Sequence, residues 1–423
     1  MEGAAMTVLN RLASQIMARQ PDDEALLLAR HAFLDTAACV IAGETSEQVA
    51  RLDASLQANG PADKALRDGI AAHALDFDDY EELGSTHPSA VIVPALLALA
   101  SDKQYNIGQL LRAYVAGFEI ILSVGSALGY GHYISGWHAT STTGRIGAAM
   151  AGAHLLGLDE AGTVTAVSLA MTQSAGLKAE FGSDAKALHA GVAARTAVEA
   201  ALLAQAEFSA APDVAEDFMR MYGVAASPGW IELFKAPLPT INAHPPYIKP
   251  SPTCGYTIRA IEAAEVLSHS VKGEDIAAIT IRIPEPYYRV AGFDAPRNVH
   301  EARFSVVYCV AAGLVDGIVG VDSLKQAALQ REDIRALMAV TNVDAYSLEA
   351  GLGDMSPDAP ETVVVELKDG RTLSETMALA RGGPGRLFTS GQVIAKFVAC
   401  GGNEHAAKSF MAAGLDAGVQ PFH

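Results

Sequence analysis

The sequence predicts a mainly α protein, a large all-helical domain joined to a smaller α+β domain, and three observations carry that prediction. Alanine-rich apolar segments recur at helical spacing from Leu9 to about Leu233, broken only by short Gly, Ser, Asp or Pro stretches. Prolines then crowd into one short stretch at Pro237, Pro239, Pro245, Pro246, Pro250 and Pro252, which cannot continue a helix. Beyond them, alternating apolar residues signal strands for the first time. A chain of 423 residues, half of them hydrophobic, has the length for two cores and the apolar surface to fill them.

Taken in order, the segments Ala90 to Ala100, Gly147 to Leu158 and Val192 to Ala206 are apolar almost all round, so they are expected as central helices. The domain boundary is expected at residue 237, giving a helical domain over 1–236 and an α+β domain over 237–387. In the second domain Ala278 to Ile283 alternates as a strand. Glu361 to Leu367, then Asp369-Gly370 and a second extended run, reads as a hairpin. Helices are expected at Tyr256 to Ser268 and Phe304 to Val319. The last one, around Val393 to Ala399 within 388–423, is expected to return to the helical domain, because a short terminal helix needs a surface to bury against.

Composition excludes several classes. The formal charge is −18, with acidic residues scattered along the chain, which opposes nucleic acid and anionic lipid as partners. An anionic ligand therefore needs locally gathered positive groups. Glu119, Pro94 and Arg145 interrupt the most apolar runs, so no membrane span of the roughly 18 residues required is expected. The start, Met1 to Arg11, shows no basic segment followed by an apolar block and cleavage site, which makes the cytoplasm the expected location. Cys39, Cys254, Cys309 and Cys400 are far apart with no CxxC pair, so buried free thiols are expected rather than a zinc site or disulfide frame.

Chemistry-bearing residues gather at three junctions. The first is the block His73 to Glu82 followed by Ser85-Thr86-His87-Pro88-Ser89. Asp78-Asp79-Tyr80-Glu81-Glu82 resembles the magnesium-binding patch of all-helical terpenoid synthases, but no second motif or basic cluster accompanies it; a solvated acidic loop is the plainer alternative. Pro88 suits the first turn of a helix, so His87 sits at a helix N-terminus, where backbone N–H groups favour anions. The second junction, Gly131 to Gly144, places His138 and a hydroxyl run before the next small-residue helix. The third, Gly182 to Gly191, places Lys186 at a helix start. The helix dipole and nearby imidazoles disfavour a charged amine there, so Lys186 is expected to be able to accept a proton near neutral pH and to serve as general base or acid. Convergence of the three junctions would build a carboxylate pocket inside an acidic protein.

These residues resemble the MmgE/PrpD family, which includes 2-methylcitrate dehydratase, cis-aconitate decarboxylase and iminodisuccinate epimerase. The resemblance rests on Ala29 to Thr36, the His73 to Asp79 block with Thr86-His87-Pro88-Ser89, and Gly136-Trp137-His138. It also rests on Lys186 with Leu188-His189 and Gly191, and on Glu301 to Ser305 through Tyr308 and Asp316-Gly317. It spans most of the chain, and the Gly-Trp-His turn and the Lys-x-Leu-His-x-Gly pattern are closer to the decarboxylase and epimerase branch. The resemblance implies a homodimer, no cofactor or metal, and acid–base chemistry beside a carboxylate of a small di- or tricarboxylic acid. The reaction is epimerisation or decarboxylation, with dehydration as the alternative; a non-catalytic polycarboxylate-binding protein is the rival class. Asp76, His87, His138, Lys186 and Tyr308 fall on decarboxylase active-site positions, whereas Tyr133 and Lys186 are the proton-transfer pair of the epimerase reading. Tyr80, His189 and Lys249 complete the expected set as substrate-binding residues, Lys249 reaching a distal carboxylate from the second domain. Tyr80 in place of the frequent Thr, Ala187 in place of Pro and Ile258 in place of His depart from the family pattern and leave the substrate open.

Overall fold

A computed structural model describes residues 7–56, 59–101, 104–211, 213–349, 352 and 355–418. Residues 1–6 of the expected leaderless start and residues 419–423 of the expected returning segment lie outside the described residues. Among the described residues, helices follow one another from Val8–Met17 to Gly229–Leu233, and no named strand interrupts them. The three expected central helices are Ser89–Ala100, Gly144–Leu155 and Asp184–Gln205. The last starts eight residues before the expected Val192, because Ser183 caps it by accepting from the Ala185 N–H. It is also less central than expected: Leu188, Val192 and Leu203 are exposed.

Small residues set how closely these helices approach. A Cβ on Gly69 of the helix Pro61–Ala74 would stand 2.8 Å from the Gly191 Cα, and one on Gly191 would stand 2.4 Å from the Leu66 carbonyl oxygen. Only glycine permits that crossing, which brings the start of the Asp184–Gln205 helix beside the end of the Pro61–Ala74 helix. Asp23–Gly43, Ile107–Leu128 and Asp184–Gln205 are long and apolar enough to cross a membrane, contrary to the expectation that no such stretch is present. In the fold these windows are 78%, 89% and 61% buried inside the protein, so core packing accounts for their apolar content.

The prolines carry the chain across as irregular backbone, with the Tyr247 N–H donating to the Tyr80 carbonyl and the Ile248 N–H to the Gly382 carbonyl. Beyond them four strands, β1 (Ile276–Pro284), β2 (Thr341–Tyr346), β3 (Glu361–Leu367) and β4 (Thr372–Met377), form one sheet in the order β2-β1-β3-β4. The expected hairpin is β3–β4, and β1 runs antiparallel to β3 and parallel to β2. Strand β2 was not expected; half of its residues are exposed and none is fully buried, so no apolar alternation announces it. Ile279, Ile281, Ile283, Val363 and Val365 form the sheet's buried face, and the helices Ile258–Ser268 and Val306–Asp316 pack with them in a second core. The helix Ser390–Ala399 packs on Asp23–Gly43, and buried Lys396 there pairs with Asp35 at 2.6 Å and donates to the Phe77 carbonyl at 2.7 Å. The four cysteines are free and buried.

Candidate active site

The three junctions meet. Asp76, Tyr80, Ser85, His87, Tyr133, His138, Phe181, Lys186, Cys254, Gly255, Tyr256 and Phe304 line one pocket with a cavity volume of about 50 Å³. The Pro61–Ala74 helix ends at the pocket, and the chain turns sharply at Asp76, whose φ of 54° is rare for a residue with a side chain. The strained turn is held from outside: Lys186 Nζ donates to Asp76 Oδ1 at 2.7 Å, and Lys249 Nζ donates to the same oxygen at 3.1 Å and to the Asp76 carbonyl at 2.8 Å. Burial pushes the Asp76 carboxyl up, but Lys186, Lys249 and the neighbouring imidazoles outweigh it and hold the carboxyl well below the ordinary carboxylate range.

This geometry narrows one expectation and corrects another. Lys186 Nζ donates to a carboxylate held ionised, an arrangement that suits the acid half of its expected base-or-acid role. Lys249 is 1% exposed and committed to Asp76, so it fixes the acid residue and does not wait for a distal carboxylate.

The acidic block is not a solvated loop. Asp78, Asp79 and Glu81 are fully buried and face the protein. Asp78 Oδ2 lies 2.8 Å from His73 Nδ1 and 3.2 Å from His87 Nδ1. Burial raises the Asp78 carboxyl, yet the two imidazoles bring it well below the ordinary range. Asp79 accepts from the Ser89 hydroxyl and N–H, and burial with nearby Asp35 pushes its carboxyl well up. Glu81 accepts from the Gly84 and Thr86 N–H groups and the Thr86 hydroxyl, closing the loop that presents His87. Of the backbone N–H groups at this helix start, that of Ser89 is taken by Asp79, and that of His87 donates to Thr140 Oγ1. His73, Asp76, Asp78 and His87 do place ligand-type atoms within 4.8 Å of one another. Asp76 Oδ1 already faces Lys186 and Lys249, whose charge opposes a divalent cation at that oxygen.

His138 caps a short helix, Ala139–Thr142, that precedes the expected one, and its ring is 1% exposed. His138 Nδ1 and His189 Nδ1 are 3.0 Å apart, so His189 orients His138 and does not itself line the pocket. Burial lowers the His87 imidazole to about 3 and moves His73 and His138 down as well, so all three enter the site as neutral rings near neutral pH. Tyr308 is a further correction: its hydroxyl donates to the Ser323 carbonyl at 2.6 Å, away from the pocket. The apolar helix Val306–Asp316 turns that side chain into the second core. Tyr133 does line the pocket, with Lys178 Nζ 3.8 Å from its ring centroid.

Sequence reasoning missed several members of the site. His73 and Asp78 are absent from the expected set although both lie in the block it singled out; the left-handed turn at Asp76 brings them together across five positions. Tyr256, Cys254, Phe181 and Phe304 supply the apolar wall, the first two from the irregular stretch after the prolines. Arg303 is buried beside Asp76, and its Nη1 donates to the Ala74 carbonyl at 2.9 Å.

A buried ion triad with imidazoles around one pocket is an arrangement suited to acid–base chemistry. The MmgE/PrpD N-terminal domain matches residues 59–231 and the MmgE/PrpD C-terminal domain matches residues 251–409; the chain belongs to the MmgE/PrpD family. It is 27% identical over 432 residues to a cis-aconitate decarboxylase-like protein of Aspergillus oryzae, covering 89% of this chain and 86% of that protein. Mouse cis-aconitate decarboxylase is 26% identical over 346 residues, covering 74% of this chain and 66% of the mouse protein. The human cis-aconitate decarboxylase is 27% identical over 307 residues, covering 67% and 61%. These relatives make the chain a lyase-type enzyme of the decarboxylase branch.

Proposed function

We propose that the protein decarboxylates a small unsaturated di- or tricarboxylic acid of the cis-aconitate type, with no cofactor in the reaction. The observation that carries this reading is the convergence of Asp76, His87, His138, Tyr133 and Lys186 on one pocket. Loss of CO₂ breaks a carbon–carbon bond and leaves an electron pair on carbon, which must be stabilised and then protonated. The imidazole N–H groups of His87 and His138 suit the carboxylate and developing enolate oxygens. An arriving carboxylate also raises their proton affinity, so substrate brings its own neutralising charge to rings that are neutral without it. Lys186, oriented by Asp76, delivers the proton to carbon, and a positioned donor of this kind contributes roughly 10²- to 10⁴-fold in rate.

A second reading has its own support. Tyr133 lines the same pocket as Lys186, and two proton-transfer groups around one carbon are what an epimerase such as that for iminodisuccinate requires. Incubation with a panel of di- and tricarboxylates in deuterated water, followed by proton NMR, separates the outcomes. CO₂ loss with one deuterium incorporated supports decarboxylation, exchange with inversion supports epimerisation, and loss of water supports a dehydratase. Binding with neither exchange nor turnover overturns the enzymatic reading in favour of a carboxylate-binding protein.

A further inference from the structure

The Lys186–Asp76 pair has a second side. Beside the substrate pocket, with which it shares Asp76, Lys186 and Phe304, a small chamber of about 20 Å³ is bordered also by His73, Arg303, Gln48 and His300, where one water needs ~10–15 Å³. Two buried polar atoms on its wall find no hydrogen-bond partner in the protein, His73 Nε2 and Arg303 Nε. They are complementary. His73 Nδ1 is paired with the Asp78 carboxylate and so carries the ring proton, which leaves Nε2 as an acceptor. Arg303 Nε is a donor whatever the pH. One water reaching both would accept from Arg303 Nε and donate to His73 Nε2, and buried polar groups of this kind are seldom left unsatisfied. The chamber shares Gln48, Ser183, His300 and Arg303 with an open cleft of about 720 Å³ on the protein surface. At that junction His300 is half-buried, with Nδ1 3.4 Å from Gln48 Nε2 and Nε2 3.3 Å from Asp184 Oδ1. The charged groups facing His300 are Arg303, Asp184, Glu47 and Arg51.

We infer that this chamber is a water-filled proton route from solvent to Lys186, separate from the path of the substrate, with His300 as its outer relay. The inference rests on the proposed acid–base reaction. When Lys186 gives its proton to the substrate carbon it becomes a neutral amine, while the substrate pocket is filled by product. A proton passes from a solvent buffer acid to His300, from the imidazolium to chamber water, and from that water to the Lys186 amine. The buffer base keeps the electron pair, and the ammonium–carboxylate pair with Asp76 is restored. Charge and protons balance without opening the pocket.

The test uses His300→Ala and, as a plug that keeps the imidazole, Gln48→Leu. Both are expected to lower kcat by about tenfold or more, less than the ~10²- to 10⁴-fold loss of a direct proton donor. KM is expected to stay within about twofold, since neither residue lines the substrate pocket. Added imidazole restores kcat in His300→Ala and leaves the wild type unchanged. An unchanged kcat in either folded variant, or a loss confined to KM that imidazole does not restore, overturns the route while leaving the reaction intact. A crystal structure at high resolution decides independently of turnover: ordered water joining His73 Nε2 to Arg303 Nε is expected, and a chamber closed by side chains overturns the inference. Should the wild type turn over none of the carboxylates, the proposed reaction falls first, and the crystallographic result alone decides whether the water route exists.

Discussion

Asp76→Asn removes one charge from the centre of the site with almost no change of shape. Asparagine tolerates the left-handed backbone at φ 54°, so the turn is not strained further. The carboxylate now faces Lys186 at 2.7 Å and Lys249 at 3.1 Å, both buried. At an effective dielectric constant of about 20, those distances correspond to gross attractions of roughly 6 and 5 kcal/mol, most of which offsets the desolvation of three buried ions. Removing one partner leaves the desolvation in place and the attraction gone, a change that typically costs about 3–5 kcal/mol. We expect that loss of unfolding free energy in urea at pH 7. The double variant Asp76→Asn/Lys249→Met is expected to recover part of it, because one uncompensated ammonium disappears with the lysine. Asp76→Asn within about 0.5 kcal/mol of the wild type, the range of an ordinary surface substitution, refutes the reading that Asp76 holds two ammonium groups.

The two tyrosines separate cleanly. Tyr308→Phe loses one buried hydrogen bond to Ser323, worth about 0.5–1.5 kcal/mol of stability, with kcat unchanged, whereas Tyr133→Phe is expected to slow turnover and leave stability nearly intact. Steady-state kinetics and denaturation on both variants check this. His87 is neutral in the fold down to about pH 3 and takes up a proton near pH 6.5 when unfolded, so it contributes stability that is lost as pH falls from about 6.5 toward 3. His87→Gln should therefore flatten the wild-type fall in stability across that window by up to ~1.4 kcal/mol per pH unit, measured as unfolding free energy against pH. Gly191→Ala drives a Cβ to 2.4 Å from the Leu66 carbonyl oxygen and should cost about 1–3 kcal/mol of stability, and its shift of the helix should lower kcat by displacing Lys186.

What the sequence makes legible here is periodicity, and what it hides is pairing. Alanine and glycine at helical spacing announce the helical domain, and the Asp369-Gly370 turn announces β3–β4, because both are local properties of the chain. Strand β2 stays hidden because it is an edge strand with no apolar face, joined to β1 only by the fold. The site divides in the same way. His87, His138 and Lys186 are recognisable from their places near helix starts, but the helix start at Ser183 is read too late when apolar residues alone are counted and the capping serine is not. Tyr308 and Lys249 show the opposite error: each is of the right type in a suggestive setting, and each has already given its polar atoms to the protein. The same partner question bears on how a chain of charge −18 would hold the proposed anion. Asp76 and Asp78 are answered inside the site by Lys186, Lys249 and the imidazoles, and Arg303 adds a cation with no carboxylate of its own among the described ion pairs. The distant acidic residues are screened by solvent beyond roughly 8–10 Å, so the substrate meets that local balance and not the total charge.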